Sequence, residues 1–459
     1  MSQDITTQRV LFPGLFKKPV VACFDQRQGS SDGGAILLQA ADRQLGLSAA
    51  LAACLGDERQ AGKVEHTIHQ MLGQRIFGLA CGYADANDAA RLANDPVHKL
   101  LLGLDPESSD SLASQPTLCR FENAVGPKEL FRCAEALADT VLSRQQRRLK
   151  KRVRWITIDL DATDDPTHGE QQLSFFNGHY HHSCYLPLLA FVNFNEEKEQ
   201  FLLAAVLQPG NAAPAGCGLG LLRRVIERVR RYFPDARIRV RLDSAYATPE
   251  ILSYLDGAKV QYAVSLIGNA VLQQEAESLM AEVRKLSAAS GKSERLYGEC
   301  QYQTGKTWPQ PRRVIFKAEV VREGERDPRD NPRFVVTNGS QKPRWVYEKI
   351  YCQRGEIENR IKELHHGLEM DRTSCQGFWA NQLRLLMTAA AYALLQELRI
   401  RATGTECARS QVTQLRERLL KIGAAVVVSA RRVVLHLPRW SPFYSSFCRI
   451  ASGLGATVG

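Results

Sequence analysis

The stretch YEKIYCQRGEIENRIKELHHG, residues 347–367, includes Glu356 and Glu358, two positions apart, among many Arg, Lys and His side chains. Two further carboxylates end apolar segments, Asp161 in RWITIDLDAT and Asp243 in ARIRVRLDSA. Active sites of α/β sheets commonly lie at strand ends, and carboxylate oxygens are the ligands that hard cations such as Mg²⁺ require. For any single aspartate, however, capping of the next turn is the more ordinary role.

A second aspartate complicates the choice in the first segment. Asp159 and Asp161 share one face of the predicted strand, because side chains alternate with a period of two. The other face of that strand is filled by Ile156, Ile158 and Leu160. Alternation alone therefore leaves both aspartates open as candidates.

Helical geometry separates the glutamates of the basic stretch. At about 100° per residue, residues 343–367 form a helix with one apolar stripe, which consists of Ile350, Ile357, Ile361 and Leu364. Five residues flank that stripe: Tyr351, Arg354, Glu358, Lys362 and His365. Glu356 and Glu363 fall on the far side, where water is expected, and Glu356 has an i+4 partner in Arg360. Glu358, at the edge of the core, is therefore the predicted site residue.

Asp161, Asp243 and Glu358 would bring three carboxylates together from two strands and one helix. Such a set can hold two divalent ions, which activate a water or a 3′-hydroxyl and stabilise the leaving oxygen of a phosphodiester. The basic residues of the helix would bind the phosphates of the same strand.

The composition agrees with an anionic partner. The chain has 459 residues and a net charge of +11, and an excess of that size favours nucleic acid as a partner, although the charge alone is weak evidence. The first residues contain no apolar leader segment, and no stretch approaches about 18 uninterrupted apolar residues. The 12 cysteines form no C-x-x-C pair, so we expect reduced thiols rather than a zinc site or a disulfide framework.

The order of elements predicts an α/β protein with a mixed sheet. Three strands, a helix, a strand, a helix and a strand follow one another after Arg154. The predicted segments are a mainly helical region (1–150), the first part of the core (151–269), a β-rich insertion (270–340), a core part with long helices (341–400) and a helical and hairpin region (401–459).

The N-terminal region contains a candidate DNA-reading helix in LASQPTLCRFENAV. Gln115, Thr117 and Arg120 would project from its first turns, as base-contacting residues do in a helix-turn-helix. An ordinary capped helix explains the same pattern equally well. The basic run SRQQRRLKKRVR that ends this region is either a solvated linker or a phosphate-contacting surface.

These motifs together resemble the DDE transposases of bacterial insertion sequences, in the branch with a Tyr-x2-Arg-x3-Glu-x6-Lys signature and a β-rich insertion. YCQRGEIE matches that signature, RLDSAY carries the second aspartate, and DAT at Asp161 matches the first strand end and favours it over Asp159. SSDGGAILL, FNGHYHHSCYLPLL and NQLRLLMTAAAYALL are also similar to one subgroup. The last signature Lys falls at His365, which departs from the family pattern and leaves His365 open as a DNA contact. Lys362 lies one turn earlier on the same helix face, and we expect it to take over the phosphate contact.

The resemblance implies an RNase-H-like catalytic core with two Mg²⁺ ions, or Mn²⁺ in their place, per active site. It also implies a helical N-terminal DNA-binding domain, double-stranded DNA partners (terminal inverted repeats and target DNA) and a synaptic homodimer. The expected activity is cleavage of the transposon ends followed by joining of the 3′-hydroxyls to target DNA. We expect a cytoplasmic, nucleoid-associated bacterial protein without a membrane association.

Two alternatives remain open at this point, a nuclease of the same fold that cleaves without joining and a DNA-binding protein whose catalysis has lapsed. Relatives with such an insertion also form a DNA hairpin at the transposon end. Trp308, the only Trp of the insertion, would stack on a flipped base in that hairpin. The alternative is that Trp308 packs under the sheet of the insertion.

Overall fold

The computed structural model describes residues 10–12, 16–23, 25–107, 110–213, 215–305, 307–324 and 326–457. Its strands are β1 (Val10–Phe12), β2 (Val20–Ala22), β3 (Gly29–Ser30), β4 (Trp155–Ala162), β5 (Asp165–Pro166), β6 (Phe175–Asn177), β7 (His182–Tyr185), β8 (Leu188–Phe194), β9 (Phe201–Val206), β10 (Arg237–Leu242), β11 (Gln261–Leu266), β12 (Glu294–Tyr302), β13 (Arg312–Val321), β14 (Arg329–Asp330), β15 (Arg333–Thr337), β16 (Ala424–Ser429) and β17 (Arg432–His436).

Its α-helices are α1 (Ile36–Leu45), α2 (Leu47–Ala52), α3 (Ile68–Cys81), α4 (Ala89–Leu92), α5 (Pro96–Leu101), α6 (Gln115–Asn123), α7 (Pro127–Arg148), α8 (Gly218–Tyr232), α9 (Pro249–Gly257), α10 (Ala270–Ser290), α11 (Pro343–Trp345), α12 (Gly355–Lys362), α13 (Phe378–Arg401), α14 (Val412–Leu415) and α15 (Tyr444–Gly453). Short 3₁₀ and π segments join several of them. No helix in the described ranges combines the length and the apolar character needed to cross a membrane.

The predicted mixed sheet is confirmed. Its strand order is β12-β13-β15-β11-β10-β4-β8-β9, with β14 paired to β13. β10 lies parallel to both β4 and β11, and the other neighbours along this order are antiparallel. The parallel centre matters for function, because β4 and β10 end at the same edge of the sheet.

The strands predicted in residues 270–340 are present, and they extend the central sheet rather than forming a sheet of their own. β15 pairs antiparallel with β11, with Ala263 opposite Thr337, and β13 and β12 follow outward. The edge of β11 is thereby covered, which removes unpaired backbone groups from the core.

Helix α13 lies at the centre of the molecule. Almost every residue from Phe378 to Arg399 is buried, because β9 and the N-terminal helices α1, α3, α6 and α7 all contact it. One hydrophobic cluster accordingly runs from Ala35 to Leu454. The boundary near residue 150 separates helical from mixed structure, but both parts share this core.

The predicted C-terminal hairpin, β16 and β17, pairs with β3 near the start of the chain. Asp32 strengthens this connection, since its carboxylate lies 2.9 Å from His98 Nε2 and 2.8 Å from Lys421 Nζ. A Cβ on Gly34 would lie 1.7 Å from the carbonyl oxygen of Leu419, so only glycine permits this approach. The SSDGG motif therefore joins the two ends of the chain.

The predicted helix over residues 343–367 is continuous but irregular. It widens into π turns at Val346–Tyr351 and at Glu363–Gly367, and it tightens into a 3₁₀ turn at Cys352–Arg354. Its first part packs on the sheet, because Val346, Tyr347 and Ile350 form one buried cluster with apolar side chains of β11, β13 and β15. Changes of this kind rotate later side chains away from the positions that a uniform 100° step gives.

Two expectations for this helix are wrong. Glu363 is buried rather than solvent-facing, and it accepts hydrogen bonds from Arg399 at 2.5 Å and from Tyr392 at 2.7 Å. Arg360 pairs with Glu363 at 2.9 Å and not with Glu356, which is exposed. The cause is α13, which packs against this side of the helix.

Candidate active site

Asp161 and Asp243 project from the same edge of the sheet. The register of the parallel pair places Arg241 of β10 opposite Asp159 of β4, so the aspartates two residues further along each strand are also neighbours. Ile156, Ile158 and Leu160, which are buried on one face of β4, fix this register against the core. Asp243 also caps the next turn by accepting a hydrogen bond of 2.9 Å from the amide of Ala245.

Arg354 lies between the two aspartates. Its Nη2 is 2.8 Å from Asp161 Oδ2 and 3.9 Å from Asp243 Oδ2. Burial raises the pKa of Asp161 to about 6; the charge of Arg354 opposes this shift, whereas Asp243 and Glu358 add to it. The three carboxylates therefore act electrostatically on one another, with one guanidinium as their counter-charge.

Glu358 lies one turn after Arg354 on α12 and is exposed to solvent. The sequence placed it at the edge of the core, so the structure differs from that expectation. The difference follows from the tightened turn before α12, which changes the direction of the residues after it. An exposed carboxylate close enough to influence Asp161 is free to bind a cation or a substrate group.

Asp159 is fully buried below the site. Its carboxylate accepts hydrogen bonds from Arg241 Nε at 2.6 Å, Arg241 Nη2 at 2.5 Å and Gln200 Nε2 at 2.7 Å. Both oxygens are thus occupied by internal partners. Of the two aspartates on this strand face, Asp161 is the one at the open edge.

Sequence reasoning missed the role of Arg241, although a signal was present. Arg241 and Asp243 share a strand face for the same reason that Asp159 and Asp161 do. Each strand therefore has one charged residue inside the sheet and one at its edge. The two inside the sheet, Asp159 and Arg241, have opposite charges. That pattern in two neighbouring parallel strands predicts an internal ion pair beneath the pair of edge carboxylates.

The remaining residues of the predicted helix face have different environments. His365 Nε2 lies 3.0 Å from Thr163 Oγ1, and its Nδ1 lies 3.6 Å from Asp371, whose pKa its hydrogen bond lowers. Lys362 is exposed, whereas Tyr351 is half-buried against the cluster at the start of the helix. Lys362 is thus available to DNA, while His365 joins the helix to the end of β4.

Trp308 does not have the exposed position that stacking on a flipped base requires. Its side chain is only 3% exposed and packs edge-on against Tyr302, with the ring centres 5.7 Å apart. Arg312 covers the ring at 5.6 Å. This burial favours the alternative, packing beside the added strands, and the DNA contact stays a prediction.

The predicted recognition helix is α6, and its exposed side brings together two of the three named residues. Arg120 Nη2 donates to Thr117 Oγ1 at 3.3 Å, and both line a cavity of about 620 Å³ with Arg59. Gln115 lies at a different cavity, next to Asp85. The structure therefore leaves Thr117 and Arg120 as a surface pair and separates Gln115 from them.

Another group of potential metal ligands, Asp32, Cys81 and His98, is fully buried, with donor atoms within 4.8 Å of one another. Lys421 already neutralises Asp32, and burial raises the pKa of the Cys81 thiol, which keeps it protonated. A protonated thiol and a bound ammonium both oppose metal binding. We interpret this group as a structural connection.

The family model described as transposase DDE domain group 1 matches residues 12–457. The chain belongs to this family. It is a DDE transposase, and domains of this class act on DNA and generally use divalent metal ions. The solved structures similar to the transposase include one described as piggyBac transposase in a synaptic complex with hairpin DNA, at 10% identity and a TM-score of 0.41 over 90% of this chain and 81% of that chain. No curated protein matches it.

Proposed function

We propose that the transposase binds the inverted-repeat ends of a bacterial insertion sequence, cleaves them by metal-dependent hydrolysis and joins the 3′-hydroxyls to target DNA. Asp161, Asp243 and Glu358 are the proposed catalytic residues. The observation that carries the proposal is the position of two aspartates at the ends of neighbouring parallel strands, with the same guanidinium of Arg354 close to both.

We further propose that β9, β8, β4, β10 and β11 with their helices form an RNase-H-like core. The order of these strands and the parallel arrangement of the last three support this assignment. The helical N-terminal region would contact the inverted repeats through the surface that contains Thr117 and Arg120. Two copies of the chain would hold the two transposon ends in a synaptic dimer.

The donor set fits divalent cations such as Mg²⁺ and Mn²⁺. Carboxylate oxygens are the ligands that these ions prefer, and the mutual repulsion at Asp161 is relieved by any added positive charge. The chemistry supplied when two such ions bind is activation of the attacking water or 3′-hydroxyl and stabilisation of the leaving oxygen. Arg354 holds the carboxylates together, and Lys362 offers its charge to the phosphates nearby.

Cation binding should depend on pH through Asp161. Its pKa of about 6 lies above the ordinary value of 3.8, so the protonated form dominates below pH 6 and the charged form above it. We expect the affinity for Mn²⁺ to be constant above about pH 7 and to fall by about tenfold per pH unit below pH 6. Calorimetric titrations between pH 5 and pH 8 measure this. An affinity that stays constant down to pH 5 would contradict the proposed role of Asp161.

Lys362 should contact a backbone phosphate near the cut. Its replacement by alanine should weaken binding to all DNA sequences and reduce the slope of log affinity against log salt by about one unit. Lys349→Ala is the matched control, because Lys349 lies on the same helix at a cavity beside Glu356. Fluorescence anisotropy at several salt concentrations gives both slopes. Equal slopes for the wild type and Lys362→Ala would exclude the contact.

The function itself is tested with DNA that flanks the gene. Purified transposase in Mg²⁺ should cut this DNA at the inverted repeats and transfer the ends into a plasmid. Cutting without transfer would indicate a nuclease, and binding without cutting would indicate lapsed catalysis. Denaturing gels of the same reactions would show a hairpin intermediate as a strand of about twice the length.

A further inference from the structure

Arg241 lies on β10 and contacts the other two elements that carry proposed catalytic carboxylates, β4 and the helix over residues 343–367, although it is itself only 4% exposed. We propose that Arg241 is a positioning residue, which fixes β4, β10 and the helix over residues 343–367 in the arrangement needed for cation binding. This inference rests on the proposed function and adds a requirement to it.

The contact to β4 lies within the sheet. Arg241 precedes Asp243 by two residues on β10, and its partner Asp159 precedes Asp161 by two residues on β4. The guanidinium donates to both carboxylate oxygens of Asp159, at 2.6 and 2.5 Å. A planar, two-point contact of this kind fixes orientation as well as distance. It therefore sets how the edge carboxylates lie relative to each other.

The second contact reaches the helix. Arg241 Nη1 donates to the carbonyl oxygen of Ile350 at 3.1 Å. Ile350 lies where the π turn changes to the 3₁₀ turn, so the regular hydrogen-bond ladder is interrupted at this point. Arg354 follows one turn later and Glu358 one turn after that. The Arg241 guanidinium thus links the backbone of the helix, just before these two residues, to the carboxylate of Asp159 on β4.

The ion pair has little reason to exist for stability alone. Burial of two charges costs desolvation energy, and apolar residues of similar volume often replace such a pair without loss. The ion pair does explain how the helix is positioned, because apolar side chains in place of Arg241 and Asp159 could not donate a hydrogen bond to the Ile350 carbonyl oxygen. Gln200 completes the group by donating to Asp159 at 2.7 Å.

The experiment measures Mn²⁺ binding to the full chain by calorimetry, without DNA and without turnover. Arg241→Met should weaken Mn²⁺ affinity by about 10- to 100-fold, as the loss of groups that orient metal ligands does elsewhere. Arg239→Met is the matched control. It lies two residues earlier on the same strand, bonds Gln261 at 2.8 Å and stacks on Trp155 at 4.4 Å, and should leave the affinity unchanged.

A double variant separates positioning from folding. Asp159→Leu with Arg241→Met removes both buried charges, so its thermal unfolding should return toward that of the wild type even where Arg241→Met alone unfolds early. The Mn²⁺ affinity of the double variant should stay as low as that of Arg241→Met, because the helix still lacks its hydrogen bond to Arg241. Recovery of wild-type affinity in the double variant, or normal affinity in Arg241→Met, would overturn the positioning role. Absence of Mn²⁺ binding in the wild type would overturn the proposed function together with it.

Discussion

Asp161→Asn and Asp243→Asn should each lower the rate of transposon-end cleavage by about a thousandfold or more while leaving end binding nearly intact. Each substitution keeps the shape of the side chain but removes a charge that the proposed cations need. Metal ions contribute several kcal/mol to stabilisation of developing charge, and each 1.36 kcal/mol corresponds to about tenfold in rate. Gel assays of labelled end DNA measure cleavage and binding on the same samples.

Asp164→Asn is the matched control for this prediction. Asp164 follows Asp161 by three residues, but its carboxylate pairs with His182 at 3.1 Å rather than with Arg354. The variant should cleave close to the wild-type rate. Strong cleavage by Asp161→Asn, or loss of cleavage in Asp164→Asn alone, would show that the first carboxylate of the site is assigned wrongly.

Glu122→Ala should lower the free energy of unfolding by about 3–5 kcal/mol, the usual cost of leaving a buried charge without its partner. Glu122 is fully buried and pairs with two arginines, Arg75 of α3 and Arg384 of α13, each at 2.8 Å. Both guanidiniums would keep only their remaining contacts to neutral acceptors. Because α6 carries Glu122, the change should also loosen the helix that presents Thr117 and Arg120.

The comparison for Glu122 is a surface pair of the same type. Arg91→Ala breaks an ion pair with Asp88 from the side of the arginine, whose side chain is 81% exposed, and should cost less than about 1 kcal/mol. Urea unfolding of both variants gives the two values. Similar small losses in both would mean that water reaches the buried group and that α6 is held by apolar contacts alone.

Strands and long helices could be predicted because their signals are local. The alternation in RWITIDLDAT gives β4, and the apolar periodicity of GLGLLRRVIERVRRYF gives α8, both within a few residues of the observed ends. The strands after α10 were recognisable in the same way. Their pairing with β11 was not, because a sequence pattern contains no information on which edge an added strand covers.

The errors come from contacts between distant segments. The helical periodicity predicts that Glu363 faces solvent. The residues that bury it, Arg399 and Tyr392, are about 30 positions away in the sequence, so the local pattern gives no sign of them. Trp308 lies in a polar stretch, yet Tyr302 and Arg312 cover it.

The choice between Asp159 and Asp161 depended on depth in the sheet, which the alternation of side chains does not give. The internal partners of Asp159, Arg241 and Gln200, lie on other strands or loops of the chain. Only the fold brings them to the same carboxylate.

The most direct test of the central claim compares Glu358→Gln with Glu356→Gln in a strand-transfer assay. Both glutamates lie on α12 and both are exposed, and Glu358 is the one whose charge is among the causes that raise the pKa of Asp161. With labelled end DNA, a plasmid target and Mg²⁺, the wild type and Glu356→Gln should give joined product, and Glu358→Gln should give none while still binding the ends. Joined product from Glu358→Gln together with its loss in Glu356→Gln would contradict the proposed site.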